Sequence, residues 1–171
     1  MLKFVKAFWD IVLWRRSPAQ LPASALLLGL VAAAAALLEL IATWLPAAPP
    51  GGIAVRIGLS VILQLAFAWV VLAIARQRQR FLQTGTALLG VGILAGFVSY
   101  PLESLINHIG TNQPAALPFA ILYLTAFIWY LLACANIWRA ALESRFMLGS
   151  VISLAYFLLS LVVEQHLMPK S

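Results

Sequence analysis

Residues 22–45 read PASALLLGLVAAAAALLELIATWL, twenty-four positions interrupted by one charge, Glu39. A helix needs about 20 apolar residues to cross a hydrocarbon core of about 30 Å, and this run supplies them. Four more runs of the same kind follow, at about 53–75, 84–100, 116–138 and 147–167. Of the 171 residues 64% are hydrophobic and 9% charged, with a mean hydropathy of +1.00. A soluble domain averages roughly a quarter charged and about half apolar residues. A chain of this length cannot hide so much apolar surface inside a globule, so the medium it is written for is a bilayer. The composition predicts an all-α integral membrane protein, with five transmembrane helices bundled into one domain over residues 17–171.

The separators between the runs agree with this partition. PAAPPGG (46–52) is too rich in Pro and Gly to be helical and reads as a tight turn. NHIGTNQPAALP (107–118) is a longer loop broken at Gly110, Asn112 and Pro114. RAALESRF (139–146) is polar enough to leave the bilayer. Between the second and third runs lie Arg76, Arg78 and Arg80. Alternate positions on a helix lie about 200° apart, so these arginines cannot form one helical stripe. They predict a short turn at the membrane surface, with each side chain snorkelling to headgroups as a cytoplasmic anchor.

Residues 1–16, MLKFVKAFWDIVLWRR, differ in kind. Lys3, Lys6 and Asp10 make one narrow polar stripe and apolar residues occupy the rest, the pattern of an amphipathic helix lying in the interface. A cleaved signal peptide competes, with ASA (23–25) as a cleavage sequence. Asp10 interrupts its apolar region and Arg15 and Arg16 fall on the wrong side of it, so the interfacial helix is the expectation.

The net charge of +6 and the pI of about 10.1 do not point to nucleic acid, because membrane proteins gather Lys and Arg in cytoplasmic loops for topological reasons. Nine of the eleven basic residues fall in segments on one side of five spans, leaving Arg56 and Lys170 for the other. The positive-inside rule then expects a cytoplasmic N-terminus and a C-terminus outside. Cys134 is the only cysteine, which excludes an intramolecular disulfide or a cysteine-based metal site.

Helix association in lipid relies on small and hydrogen-bonding residues, and four runs carry such seams. Ala25, Gly29 and Ala33 recur every fourth residue in the first, and Arg56, Ser60, Gln64 and Ala68 do so in the second. The third has a GxxxG pair at Gly92 and Gly96, flanked by Gly85 and Ser99. The fifth aligns Gly149, Ser153, Tyr156, Ser160 and Glu164. Gly29, Gly92, Gly96, Ser153 and Ser160 are expected to pack helices together. A charge inside a span is a candidate functional site. Glu39 and Arg56 are joined by a short turn and expected to pair. Glu103, His108 and Glu164 would add to a polar pocket open to the outside for a cation, proton or headgroup.

No Ser/His/Asp grouping is spaced for nucleophilic catalysis, and HExxH, GxSxG and phosphate-cradling glycine loops are lacking. GVGILAG (90–96) mimics a dinucleotide fingerprint but lies inside an apolar run with no preceding strand. No cofactor or catalytic residue is implied.

Three stretches carry a resemblance: FWDIVLWRRSPAQLPASALLL, RFLQTGTALLGVGILAGFVSYPL (80–102) and NIWRAALESRFMLGSVISLAYFLLS (136–160). In layout over most of the chain they resemble small bacterial inner-membrane proteins akin to the Yip-type (Rab-GTPase-interacting) membrane domain superfamily. That resemblance implies the bacterial inner membrane and, from eukaryotic relatives, scaffolding. The leading expectation is a non-enzymatic scaffold or accessory protein acting through membrane or envelope partners or a second copy of itself. The alternative is a small transporter or channel component using the outward polar pocket. An enzyme acting on lipid-linked substrates comes third.

Overall fold

The computed structural model describes residues 22–42 and 53–167, the side chains of 53–57, Glu164 and Leu167 excepted. Among the described residues there is no strand. Five helices follow one another: α1 (Ala25–Ala42), α2 (Ile53–Ile74), α3 (Phe81–Ile109), α4 (Leu117–Leu142) and α5 (Phe146–Leu167). Helices α1, α3, α4 and α5 are long and apolar enough to cross a membrane, and the described side chains of α2 continue the pattern over Gly58–Ile74. The expected interfacial helix (1–16), the PAAPPGG turn and Lys170 lie outside the described residues, as do the side chains of Arg56 and Glu164.

The helices alternate in direction and close a ring in which α1 meets α3, α3 meets α4, α4 meets α5, α5 meets α2 and α2 meets α1. Helix α3 also touches α2. That position explains why every residue from Thr84 to Val91 is buried, as expected for a helix covered all round. Many large apolar side chains are left outside, Leu26, Leu30, Ile62, Phe97, Ile121 and Val151 among them. Such a surface would aggregate in water and is compatible with lipid contact.

Packing is dense at the end that carries the 75–80 turn. There Ala68 and Leu72 of α2, Ala87, Leu88 and Val91 of α3, and Ala133, Cys134, Ile137, Trp138 and Ala141 of α4 form one cluster. Phe67 meets the Trp138 ring edge-on at 6.0 Å between centroids. Helices α4 and α5 approach closely at Gly149, where an added Cβ would collide with the carbonyl oxygen of Ala135 and lie 3.1 Å from the amide nitrogen of Arg139.

The helices add two details to the sequence expectations. The helix that carries the third apolar run, α3, extends past Tyr100 and Pro101 to Ile109, 29 residues in all, where Gly110 at φ 97° ends it and donates to Ile106 O. A proline removes one main-chain donor, and in membrane helices that loss is tolerated because the helix around it is otherwise intact. At 1.5 Å per residue the helix is about 43 Å long, more than a hydrocarbon core needs. The second detail concerns Gly29, which is exposed, with nothing within 4 Å of a would-be Cβ among the described residues. Its seam partners Ala25 and Ala33 are exposed as well, so this seam packs against no described helix of the chain. The spacing of small residues marks a face that can pack, not the face that does.

Candidate functional site

Beyond the dense cluster the bundle opens into a cavity of about 280 Å³ to which all five helices contribute. Ala35, Leu38 and Glu39 come from α1, and Ser60, Val61 and Gln64 from α2. Ser60 and Gln64 lie four residues apart and therefore on one helical face. Helix α3 brings Gly92, Gly96, Ser99 and Tyr100 among its lining residues. Phe127 and Tyr130 come from α4, and Tyr156 and Phe157 from α5.

The polar groups concentrate where α1 meets α2. Ser60 Oγ donates to Glu39 Oε1 at 2.5 Å, a charge-assisted bond that joins the two helices. Glu39 is the only charged side chain among the described lining residues. The opposite wall is aromatic. Phe127 and Phe157 pack at 4.8 Å between centroids, and Tyr156 is held at 5.3 Å from Phe67.

The glycines of α3 shape the space in different ways. At Gly96 a Cβ would come within 2.9 Å of Leu38 Cδ2 and 3.1 Å of Tyr100 Cε2, so this position lets α1 close against α3. At Gly92 nothing lies within 4 Å, so its missing side chain leaves room in the cavity itself.

The residues singled out in the sequence thus separate. Glu39, Ser60 and Gln64 converge on the cavity with Gly92 and Gly96. Glu103 does not join them. It is exposed and outside the lining, a full turn past Ser99 on the stretch of α3 beyond Pro101, and His108 is exposed further along. The expected Glu39–Arg56 pair lies outside the described residues. Ser153 is buried in the bundle with no partner for its hydroxyl among the described residues. Ser160 is half-buried and donates to Phe157 O of its own helix. Sequence reasoning missed Tyr100, Phe127, Tyr130 and Phe157. The available signal was Tyr130 in mid-span, because a buried tyrosine brings a hydroxyl that needs a polar neighbour.

The three arginines also separate. Arg76 is exposed at φ 57°, and Arg78 lays its guanidinium 5.5 Å from the centre of the Trp69 ring. Arg80 does not reach outward as a free anchor. It donates to the carbonyl oxygens of Ala140 and Ala141 at 3.1 and 3.2 Å and pairs with Glu143. The last carbonyls of a helix have no partner within it, and a cation there is favoured by the helix dipole as well. Arg80 is therefore a cap on α4 delivered by the preceding turn.

No family model, curated protein or solved structure matches the chain. What fold and cavity define is a class: a helical bundle with helices of membrane-spanning length and, between them, a mostly apolar cavity that holds one acidic side chain.

Proposed function

We propose that this chain is a multi-pass inner-membrane protein that binds a small ligand between its helices, as a small transporter or channel component does. The carrying observation is the convergence of Glu39, Ser60 and Gln64 on one cavity of about 280 Å³. A carboxylate inside a span is costly and is retained where it meets a ligand, a partner or water. The volume is near the lower end of the range typical of small-molecule sites, about 300–1,000 Å³. The charge asymmetry supports a cytoplasmic 75–80 turn, with the cavity towards the outer half.

Cysteine placed at Gln64 in a Cys134→Ala background is expected to react with a membrane-impermeant thiol reagent added outside. Cysteine at Leu88, inside the dense cluster, is expected to stay protected. Complete protection of Gln64→Cys and Ser60→Cys from both sides would mean a dry seam and end the proposal.

A second reading, the scaffold or accessory protein of Yip-type kin, is favoured by the outward Ala25, Gly29 and Ala33 face of α1. Small residues there permit close approach of another membrane helix or of a second copy. Cross-linking through Gly29→Cys in intact membranes tests it; uniformly monomeric protein speaks against self-association.

A further inference from the structure

We propose that the end of the bundle carrying the 75–80 turn holds an anionic phospholipid and prefers a headgroup of two linked phosphates. The inference rests on the membrane reading and is independent of the cavity. Two turns meet at this end, 75–80 between α2 and α3 and 143–145 between α4 and α5. Arg80 joins them, and its guanidinium is occupied by the Ala140 and Ala141 carbonyls and by Glu143. Arg76, Arg78, Arg139 and Arg145 are all exposed, and none has an acidic partner among the described residues. Five arginines against the single Glu143 thus leave four uncompensated charges in the described part of this end. The other acids with described side chains lie towards the opposite end. Glu39 is bonded to Ser60 in the first half of α2, and Glu103 stands in the last turns of α3.

A cluster of four or more basic residues beside membrane-spanning helices attracts anionic headgroups, each charge adding about fivefold in affinity. A guanidinium offers a phosphate two parallel donors, which adds geometry to charge. The surroundings supply the other half of a lipid. Ile74 stands two residues before Arg76 and Met147 two residues after Arg145, and they are 79% and 78% exposed, so surface for acyl chains begins directly beside the charges. Arg78 lies over the half-exposed ring of Trp69, the residue type that settles at headgroup depth. Arg76 and Arg78 belong to one turn, Arg139 and Arg145 to the end of α4 and the turn after it. One phosphate answers one of these pairs, and two phosphates on a short linker answer both. A second copy of the chain would bring like charge to this end. Nucleic acid would answer the arginines but leave Ile74 and Met147 uncovered.

The test uses the purified full chain in dodecyl maltoside, with lipid binding read by native mass spectrometry. Cardiolipin, phosphatidylglycerol and phosphatidylcholine of matched acyl chains are titrated separately. Cardiolipin is expected to bind about tenfold more tightly than phosphatidylglycerol, and phosphatidylcholine about tenfold more weakly still. The double variant Arg139→Gln/Arg145→Gln is expected to weaken cardiolipin about tenfold or more, and Arg76→Gln/Arg78→Gln likewise. Glu103→Gln, at the opposite end, should leave cardiolipin binding unchanged. Should either double variant fail to fold, the other and the comparison of three lipids on the wild type still decide. Equal affinity for all three lipids, or full cardiolipin affinity in a folded double variant, overturns the site. Equal affinity for cardiolipin and phosphatidylglycerol, both above phosphatidylcholine, overturns the preference for two phosphates. Pyrophosphate in excess is expected to leave bound cardiolipin in place. Displacement by pyrophosphate, but not by sodium chloride of equal ionic strength, assigns the arginines to a soluble anion and overturns the lipid.

Discussion

Gly149→Ala is expected to destabilise the bundle by about 3 kcal/mol, the upper part of the range for overpacking, and Gly149→Leu to prevent assembly of α5 on α4. The size of the effect follows from what the new methyl group meets. At Gly96 the obstructing atoms are the ends of Leu and Tyr side chains, which can rotate aside. At Gly149 they are main-chain atoms of Ala135 and Arg139, held in α4, so the whole helix must retreat. Retreat would loosen contacts around Trp138 and shift Tyr156, two turns further along α5, away from the cavity. Unfolding in mixed detergent, followed by tryptophan fluorescence, measures this. Gly29→Ala is the matched control: the same substitution on an open helical face should change stability by no more than about 0.5 kcal/mol. Equal stability of the Gly149 and Gly29 variants would show that α4 and α5 do not meet so closely.

Arg80→Ala should cost about 2 kcal/mol, more than removal of its acidic partner. The side chain of Glu143 is 65% exposed, where an ion pair contributes roughly 0–1 kcal/mol. That of Arg80 is 25% exposed, and it holds two main-chain carbonyls that have no other partner in α4. Hydrogen bonds to a charged donor contribute about 1.5–3 kcal/mol when sheltered, less where water competes. Glu143→Gln is therefore expected to cost under about 1 kcal/mol. Arg80→Lys should recover less than half of the Arg80→Ala loss, because a single ammonium cannot reproduce a fork spanning three acceptors. Thermal unfolding of the four proteins ranks them; a larger loss for Glu143→Gln than for Arg80→Ala would reverse the assignment from cap to ion pair. Glu143 stands at φ 51°, where glycine is at ease, so Glu143→Gly loses a weak pair but gains backbone freedom from strain. Its net effect should lie near zero.

Much of the helical partition was legible because it depends on length and composition. The first, second, fourth and fifth runs coincide with helices to within a few residues. The third helix runs further than its apolar run, past Pro101 to Ile109. Proline lowers helical preference locally, but the turns on either side of Pro101 keep their own hydrogen bonds, and Gly110 is the residue that stops the chain. The acid in the first run and the Ser60 and Gln64 face of the second were visible as unusual polar residues in spans. Their company was not: Tyr130 and Phe127 lie nearly seventy residues from Ser60, and no local pattern ties them to it.

What the sequence determined by itself was a helical chain built for hydrocarbon, where its turns fall, and which few residues are too polar for their depth. Those properties are local, set by apolar run length, by proline and glycine, and by the cost of burying charge. Which helix faces meet was decided by the tertiary structure. In water the apolar stripe of a helix identifies its inner face; in lipid both faces are apolar, and the choice passes to close packing and a few hydrogen bonds. Gly29, Gly92, Gly96 and Gly149 look alike as letters. In the bundle the first faces outward, the second leaves room in a cavity, the third admits α1 and the fourth admits the backbone of α4.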